Sequence, residues 1–143
     1  KIKKYINEDE NFFLTYGDGL SNVDINLLKK CHFNSNKIGT VTIVSPPGRY
    51  GAVETKKDLV TKFKEKQKDK NRFINGGFFV LNYKVFKYIK GNKTIFEDDV
   101  LAKLSSINQL QAYRHRGFWQ SMDSLSDKLY LEKLWKQKPL WKK

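Results

Sequence analysis

Residues 12–19 read Phe12-Phe13-Leu14-Thr15-Tyr16-Gly17-Asp18-Gly19, a short unbroken apolar run that stops at a Gly-Asp-Gly turn. Continuous rather than alternating apolarity predicts a strand buried on both faces, as in a parallel sheet. A strand that central has neighbours on either side, yet only eleven residues precede it. The expectation is that strands upstream of Lys1 complete the sheet. In open α/β sheets ligands gather at the carboxyl ends of parallel strands. Asp18 stands at such an end, and the glycines beside it let a ligand come close to the backbone. A carboxylate there suits a magnesium ion held against a nucleotide phosphate, because that ion takes few protein oxygens and completes its shell with phosphate and water. A Gly-Asp-Gly turn that merely ends a strand fits the same residues, and spacing alone leaves both readings open.

Outward from this strand the pattern alternates between strand and helix. Asp24 predicts an N-cap for a helix carrying Ile25, Leu27, Leu28 and Cys31, which runs out near Asn34-Ser35-Asn36. The β-branched run from Gly39 to Ser45 predicts a second strand, stopped by Pro46-Pro47-Gly48. Short strands follow near Ala52-Val53 and from Leu59 to Phe63, then a charged stretch from Lys64 to Arg72. Phe73 to Leu81 reads as a strand broken at Gly76-Gly77, and Tyr83 to Ile89 as a short helix. Thr94 is the expected cap of a helix through Leu104, with Glu97, Asp98 and Asp99 in the first turn, where the helix dipole favours carboxylates. Gln109 to Tyr113 reads as a strand. Asp123 opens a last helix carrying Leu125, Leu129, Leu131, Leu134 and Trp135. No repeat, linker or internal boundary interrupts residues 1–143. The expectation is a single α/β domain.

The chain carries 28 basic and 15 acidic residues, a net charge of +13. That excess raises nucleic acid as a partner, since cations on phosphates release counterions. Only four of the cations are arginines, however: Arg49, Arg72, Arg114 and Arg116. Forked contacts to bases and phosphates favour arginine. The lysines spread over the whole length without interleaving with aromatics, which reads as a solvated coat. Nucleic acid is therefore not an expected partner. An aromatic fraction of 14% argues against wholesale disorder, and the lone Cys31 excludes an internal disulfide or a cysteine-rich zinc site. No apolar run approaches the roughly 18 residues of a membrane-spanning helix. No P-loop, GxGxxG or Ser-His-Asp pattern is present.

Other candidates keep two readings each. Asp123 reads as a helix cap or as a second carboxylate for the same metal. Lys66 is, by itself, one lysine among many. Asn75-Gly76-Gly77 makes either a close backbone approach to a polar ligand or a bulge. His32 reads as helix packing, and His115, between Arg114 and Arg116, as a structural residue or as one that meets a phosphate.

Four segments carry a more specific signal: Phe13 to Gly19; Pro46-Pro47-Gly48-Arg49-Tyr50-Gly51-Ala52; Ile74-Asn75-Gly76-Gly77-Phe78-Phe79-Val80; and Gly117-Phe118-Trp119-Gln120-Ser121-Met122-Asp123-Ser124-Leu125. In this order and at these separations they resemble the glucose-1-phosphate cytidylyltransferase family, sugar-nucleotide synthases of the nucleotidyltransferase fold. Leu131 to Trp135 and Trp141-Lys142 fit the same family. The resemblance implies a Rossmann-like α/β fold with a mixed, mostly parallel sheet, incomplete at its N-terminus. It implies that CTP and α-D-glucose 1-phosphate give CDP-glucose and pyrophosphate, the sugar phosphate attacking the α-phosphorus in line. Carried over residue by residue, Asp18 and Asp123 are the Mg2+ ligands, and Lys66 joins them as a catalytic residue. Glu65 and Lys66 meet the sugar phosphate, Asn75 and Gly76 hold the sugar, and Gly17 lines the nucleotide site.

The sequence departs from the family at Gln67, Ser121 and Val100, where proline is usual, and at Ser124, where threonine is usual. The family also begins with a strand and a Gly-rich loop, carrying an arginine and then a lysine, that grips the triphosphate. This sequence holds nothing like it, so the resemblance implies the C-terminal half or slightly more of an enzyme, inactive or nearly so alone. A cytoplasmic homo-oligomer feeding surface-polysaccharide synthesis, such as lipopolysaccharide O-antigen, follows from family context. The alternatives are a nucleotidyltransferase for another sugar phosphate or NTP, and a basic nucleic-acid-binding module.

Overall fold

The computed structural model describes residues 2–8, 10–45, 52–64 and 73–142. In chain order the elements are β1 (Asn11–Thr15), β2 (Gly19–Ser21), α1 (Ile25–Ser35), β3 (Gly39–Val44), β4 (Ala52–Lys56), β5 (Leu59–Lys64), β6 (Ile74–Asn82), α2 (Ala102–Ser106), β7 (Leu110–His115), β8 (Trp119–Ser121) and α3 (Leu125–Gln137). A 3-10 helix covers Tyr83–Tyr88, and a π-helix, Phe96–Leu101, runs directly into α2. The expected α/β alternation is therefore present.

Four strands form one mixed sheet in the order β1-β6-β3-β7. β6 is antiparallel to both β1 and β3, while β3 and β7 are parallel. Three of the four strands thus run the same way, and their carboxyl ends share one end of the sheet with the start of β6. The chain reaches Asp18 from β1, Asn75 at the start of β6, and Gly117 from β7 at this end. One expectation changes. β1 pairs antiparallel with β6, and Phe13 is 50% exposed. Its unbroken apolar run reflects a packed face, Phe12 and Leu14 against the core, with a half-exposed Phe13 opposite.

The core lies on one face of this sheet. Val41, Phe79 and Leu81 point to it, register-matched across β3 and β6. Val85, Val100 and Leu104 cover it from the segments between β6 and β7. Each such side chain contributes roughly 1.5–3 kcal/mol by leaving water. The opposite face carries α1, whose Leu28 and His32 are buried. His32 lies between strands, with Nδ1 2.9 Å from the Thr40 hydroxyl and Nε2 3.0 Å from Asn11 Oδ1. An amide oxygen only accepts, so Nε2 donates and Nδ1 accepts. Burial holds its pKa below the ordinary histidine value. The expected packing role for His32 is what the structure has.

Helix ends obey local chemistry. Asp24 caps α1 by accepting from the Leu27 amide at 3.0 Å, and Asn36 closes it in a left-handed conformation at φ 52°. Two expected caps are displaced. The Thr94 hydroxyl instead accepts from the Lys90 and Gly91 amides, closing the preceding loop. Asp99 accepts from Ile95 N at 2.7 Å, and the chain enters the π-helix there. At α3 the cap is Ser124, locked in a reciprocal capping box with Asp127. Asp123 sits one residue outside the helix.

Candidate functional site

The site is assembled by a two-stranded ribbon laid across the carboxyl end of the sheet. β2 and β8 pair antiparallel, Gly19 opposite Ser121 and Ser21 opposite Trp119. The ladder continues one step further, the Met122 amide donating to the Asp18 carbonyl at 2.8 Å. Asp18 therefore faces Met122, and Asp123 is the next residue along, so two aspartates far apart in sequence stand at one end of the ribbon. Both are exposed. The Ser121 hydroxyl donates to Asp123 Oδ2 at 2.8 Å, which orients that carboxylate. Because Ser124 with Asp127 takes over the capping of α3, the cap reading of Asp123 falls away.

Beside the ribbon lies the start of β6. Its register against β3 jumps from Val41–Phe79 to Ile43–Asn75, so four residue steps on β6 match two on β3. The extra residues form a bulge at Gly76-Gly77, with Gly77 at φ +77°, where glycine carries no steric penalty. Asn75 Oδ1 accepts from the Gly77 amide at 2.8 Å and holds the bulge closed. A Cβ at Gly76 would stand 3.0 Å from the Thr42 carbonyl oxygen and 3.1 Å from Val44 Cγ1. Glycine there lets β6 close on β3.

Two further bonds tie the parts together. Trp119 Nε1 donates to the Gly76 carbonyl at 2.8 Å, joining ribbon to bulge. The Tyr16 amide donates to the Gly77 carbonyl at 2.9 Å, joining the end of β1 to the same bulge. The Tyr16 phenol donates to the Glu97 carboxylate on the π-helix. Burial first, then the Glu97 bond, push its pKa up to about 12. Tyr16 remains a neutral donor throughout the physiological range.

Gly17 differs from Gly76 and Gly77. A Cβ built on it meets no described atom within 4 Å, and its φ is outside the left-handed region. Neither packing nor backbone conformation demands a glycine there. At Gly117, by contrast, a Cβ would stand 2.4 Å from Asn22 Oδ1 and 2.7 Å from His115 Cε1, so those two side chains would have to shift to admit it. His115 donates from Nε2 to the Phe118 carbonyl at 3.1 Å, the structural role its sequence context suggested. A cavity of about 540 Å³ opens at the same end of the sheet, bordered by Val44, Phe73, Arg116, Phe118, Trp119 and Tyr130 among others.

The structure thus gathers Gly17, Asp18, Asn75, Gly76 and Asp123 at one end of the sheet. Glu65 and Lys66, and the segment Pro46 to Gly51, lie outside the described residues. Tyr16, Glu97 and Trp119 join these residues without having been singled out by sequence. Tyr16 read as the last apolar residue of a strand and Glu97 as a helix-dipole charge; only their contacts give them another purpose. As for a metal, no three His, Cys, Asp or Glu side chains converge among the described residues. The donors at hand are two exposed carboxylates, a hard-oxygen set that fits a magnesium ion sharing its shell with phosphates.

The chain belongs to the nucleotidyl transferase family, whose model matches residues 1–131. It is 43% identical over 143 residues to the glucose-1-phosphate cytidylyltransferase of Salmonella typhimurium, covering 99% of this chain and 56% of that protein. The chain therefore spans little more than half the length of that relative. It is also 32% identical over 126 residues to a mannose-1-phosphate guanyltransferase of Schizosaccharomyces pombe, covering 81% of this chain and 34% of that protein. Among solved structures, a Bacillus anthracis protein assigned to the glucose-1-phosphate thymidylyltransferases and solved with a sucrose has the same fold. It aligns at TM-score 0.69 and 19% identity, over 95% of this chain and 58% of that one.

Proposed function

We propose that the chain is the C-terminal part of a nucleotidyltransferase domain that transfers CMP from CTP to α-D-glucose 1-phosphate, giving CDP-glucose and pyrophosphate. The observation that carries this reading is the ribbon pairing that sets Asp18 beside Met122-Asp123, next to the Asn75-Gly76 bulge. An oxygen of the sugar phosphate attacks the α-phosphorus of CTP, a new P–O bond forms, and the bond to pyrophosphate breaks. The attacking oxygen is already anionic, so no general base is required, and positioning with charge neutralisation carries the catalysis. Asp18 and Asp123 would hold Mg2+, which when bound neutralises the charge of the triphosphate. Lys66 neutralises the sugar phosphate, with Glu65 beside it. Asn75 and Gly76 hold the sugar ring, and Gly17 keeps space for the nucleotide. The resemblance in the four motifs and the 43% identity to the Salmonella enzyme support the choice of CTP and glucose 1-phosphate.

The test is magnesium-dependent formation of CDP-glucose from CTP and glucose 1-phosphate. It is run on this chain and on this chain joined to the N-terminal segment of the Salmonella relative. Activity of the joined form that is lost in Asp18→Asn and Asp123→Asn is the expected result. A joined form that folds and yet makes no nucleotide sugar from any pairing of NTP and sugar phosphate refutes the reading. A second reading, another base or sugar, is favoured by the guanyltransferase among the relatives. Preference for a different pair in the same panel would establish it.

A further inference from the structure

Asp123 lies on the short connection between β8 and α3, and both ends of that connection are fastened. On the β8 side Gln120 and Ser121 are buried. Gln120 Nε2 donates to the Ser121 carbonyl at 2.9 Å and to Asp127 Oδ1 at 3.0 Å. A carboxylate only accepts, so the orientation of the Gln120 amide is decided and both its hydrogens are used. On the α3 side the same Asp127 carboxylate accepts from the Ser124 amide at 3.1 Å and the Ser124 hydroxyl at 2.8 Å. One carboxylate therefore pins residues 120 and 124, with Met122 and Asp123 between them. The Met122 amide is tied in turn to the Asp18 carbonyl.

These bonds fix the backbone under Asp123, but not the rotation of its own side chain. Ser121 acts on that rotation directly. Its hydroxyl, rooted in a buried residue at the end of β8, donates to Asp123 Oδ2 at 2.8 Å. An exposed side chain otherwise spreads over several staggered rotamers, and ordering it costs free energy when a ligand binds. An ionised carboxylate offers about four lone-pair sites, so accepting one hydroxyl leaves it the capacity to bind a cation. We infer that Ser121 is a positioning residue for the metal. On the reading of Asp123 as a Mg2+ ligand, its hydroxyl holds that carboxylate in the orientation in which it meets the ion. Loss of a partner that orients a ligand from behind typically costs about 10–100-fold in metal affinity. The effect belongs in metal binding, and recognition of the sugar should not respond.

The test uses Ser121→Ala and Ser121→Thr in the joined form, with Mn2+ as the probe because it takes the same oxygen ligands as Mg2+. Binding of Mn2+ in the presence of CTP, without sugar phosphate, is read from water-proton relaxation and needs no turnover. The expected result is a dissociation constant raised at least about tenfold in Ser121→Ala and brought back near the wild-type value in Ser121→Thr, which keeps the hydroxyl. The KM for glucose 1-phosphate at saturating Mg2+ should not move. A constant unchanged in Ser121→Ala but raised in Asp123→Asn would overturn the inference and leave the metal reading standing. A Ser121→Thr variant no tighter than Ser121→Ala, or a matching rise in the sugar KM, would overturn it too, since the hydroxyl would then not be the cause. A constant that moves in neither Asp18→Asn nor Asp123→Asn refutes the metal reading itself, and the role of Ser121 with it. A joined wild type that binds Mn2+ through Asp123 and yet makes no nucleotide sugar refutes the proposed reaction alone.

Discussion

Replacing Gly17 with alanine should separate stability from ligand binding. A Cβ at this position meets no described atom within 4 Å, and the residue does not use a left-handed φ. The folded state then accepts the methyl without strain, while the unfolded chain loses some of glycine's freedom. The expected effect is a gain of about 0.4–1 kcal/mol, the usual figure for Gly→Ala where the backbone is compatible. If the space beside Gly17 takes the nucleotide, the same methyl intrudes on it. A KM for CTP raised at least about tenfold corresponds to about 1.4 kcal/mol of lost binding. Urea melts of this chain measure the first effect, and the CDP-glucose assay on the joined form measures the second. A loss of stability beyond about 1 kcal/mol would refute the local geometry, because it requires a clash or a strained backbone. Unchanged stability together with unchanged CTP kinetics would refute the ligand role of Gly17 while leaving the fold intact.

Other outcomes follow from the same geometry. Gly76→Ala pushes a methyl to 3.0 Å from the Thr42 carbonyl, so it should cost about 1–3 kcal/mol in urea melts, opposite in sign to Gly17→Ala. Ser124→Ala removes the α3 cap and should cost about 0.5–2 kcal/mol. Asp123→Asn should stay within about 0.5 kcal/mol of wild type and yet abolish magnesium-dependent turnover; a large loss of stability would return Asp123 to a structural role. His32 is buried with its pKa below the ordinary value of about 6.5, so the unfolded chain binds the extra proton first. Stability should therefore be full above about 6.5, decline as pH falls below it, and level off below the folded pKa. Melts at a series of pH values check this, and His32→Gln should flatten the decline.

Much of this protein is legible in one dimension because its signals are local. The Asp24 cap, the β-branched run of β3, the break at Gly76-Gly77 and the strand at Gln109 to Tyr113 all follow from propensity, capping and period. The strand at Phe12 to Tyr16 was legible as a strand, but its pairing was not: apolarity records that a face is covered without saying by what. The caps at Thr94 and Asp123 went astray for a related reason. A hydroxyl or carboxylate caps whichever amides come nearest, and Thr94 found those of Lys90 and Gly91, while Ser124 and Asp127 satisfied each other.

The motifs by themselves carried the resemblance to a nucleotidyltransferase family, since a carboxylate between glycines at a strand end, a second carboxylate after Trp119-Gln120-Ser121-Met122 and an Asn-Gly-Gly break are written in adjacent residues. What only the tertiary structure decided is which of them meet. Asp18 and Asp123 become neighbours because β2 pairs with β8, and the Asn75-Gly76-Gly77 bulge is tied to Tyr16 and to Trp119 from two other parts of the chain. Hydrogen bonds and ladders between distant segments depend on register and on the direction in which each side chain leaves the backbone. Those directions exist only once the sheet has formed.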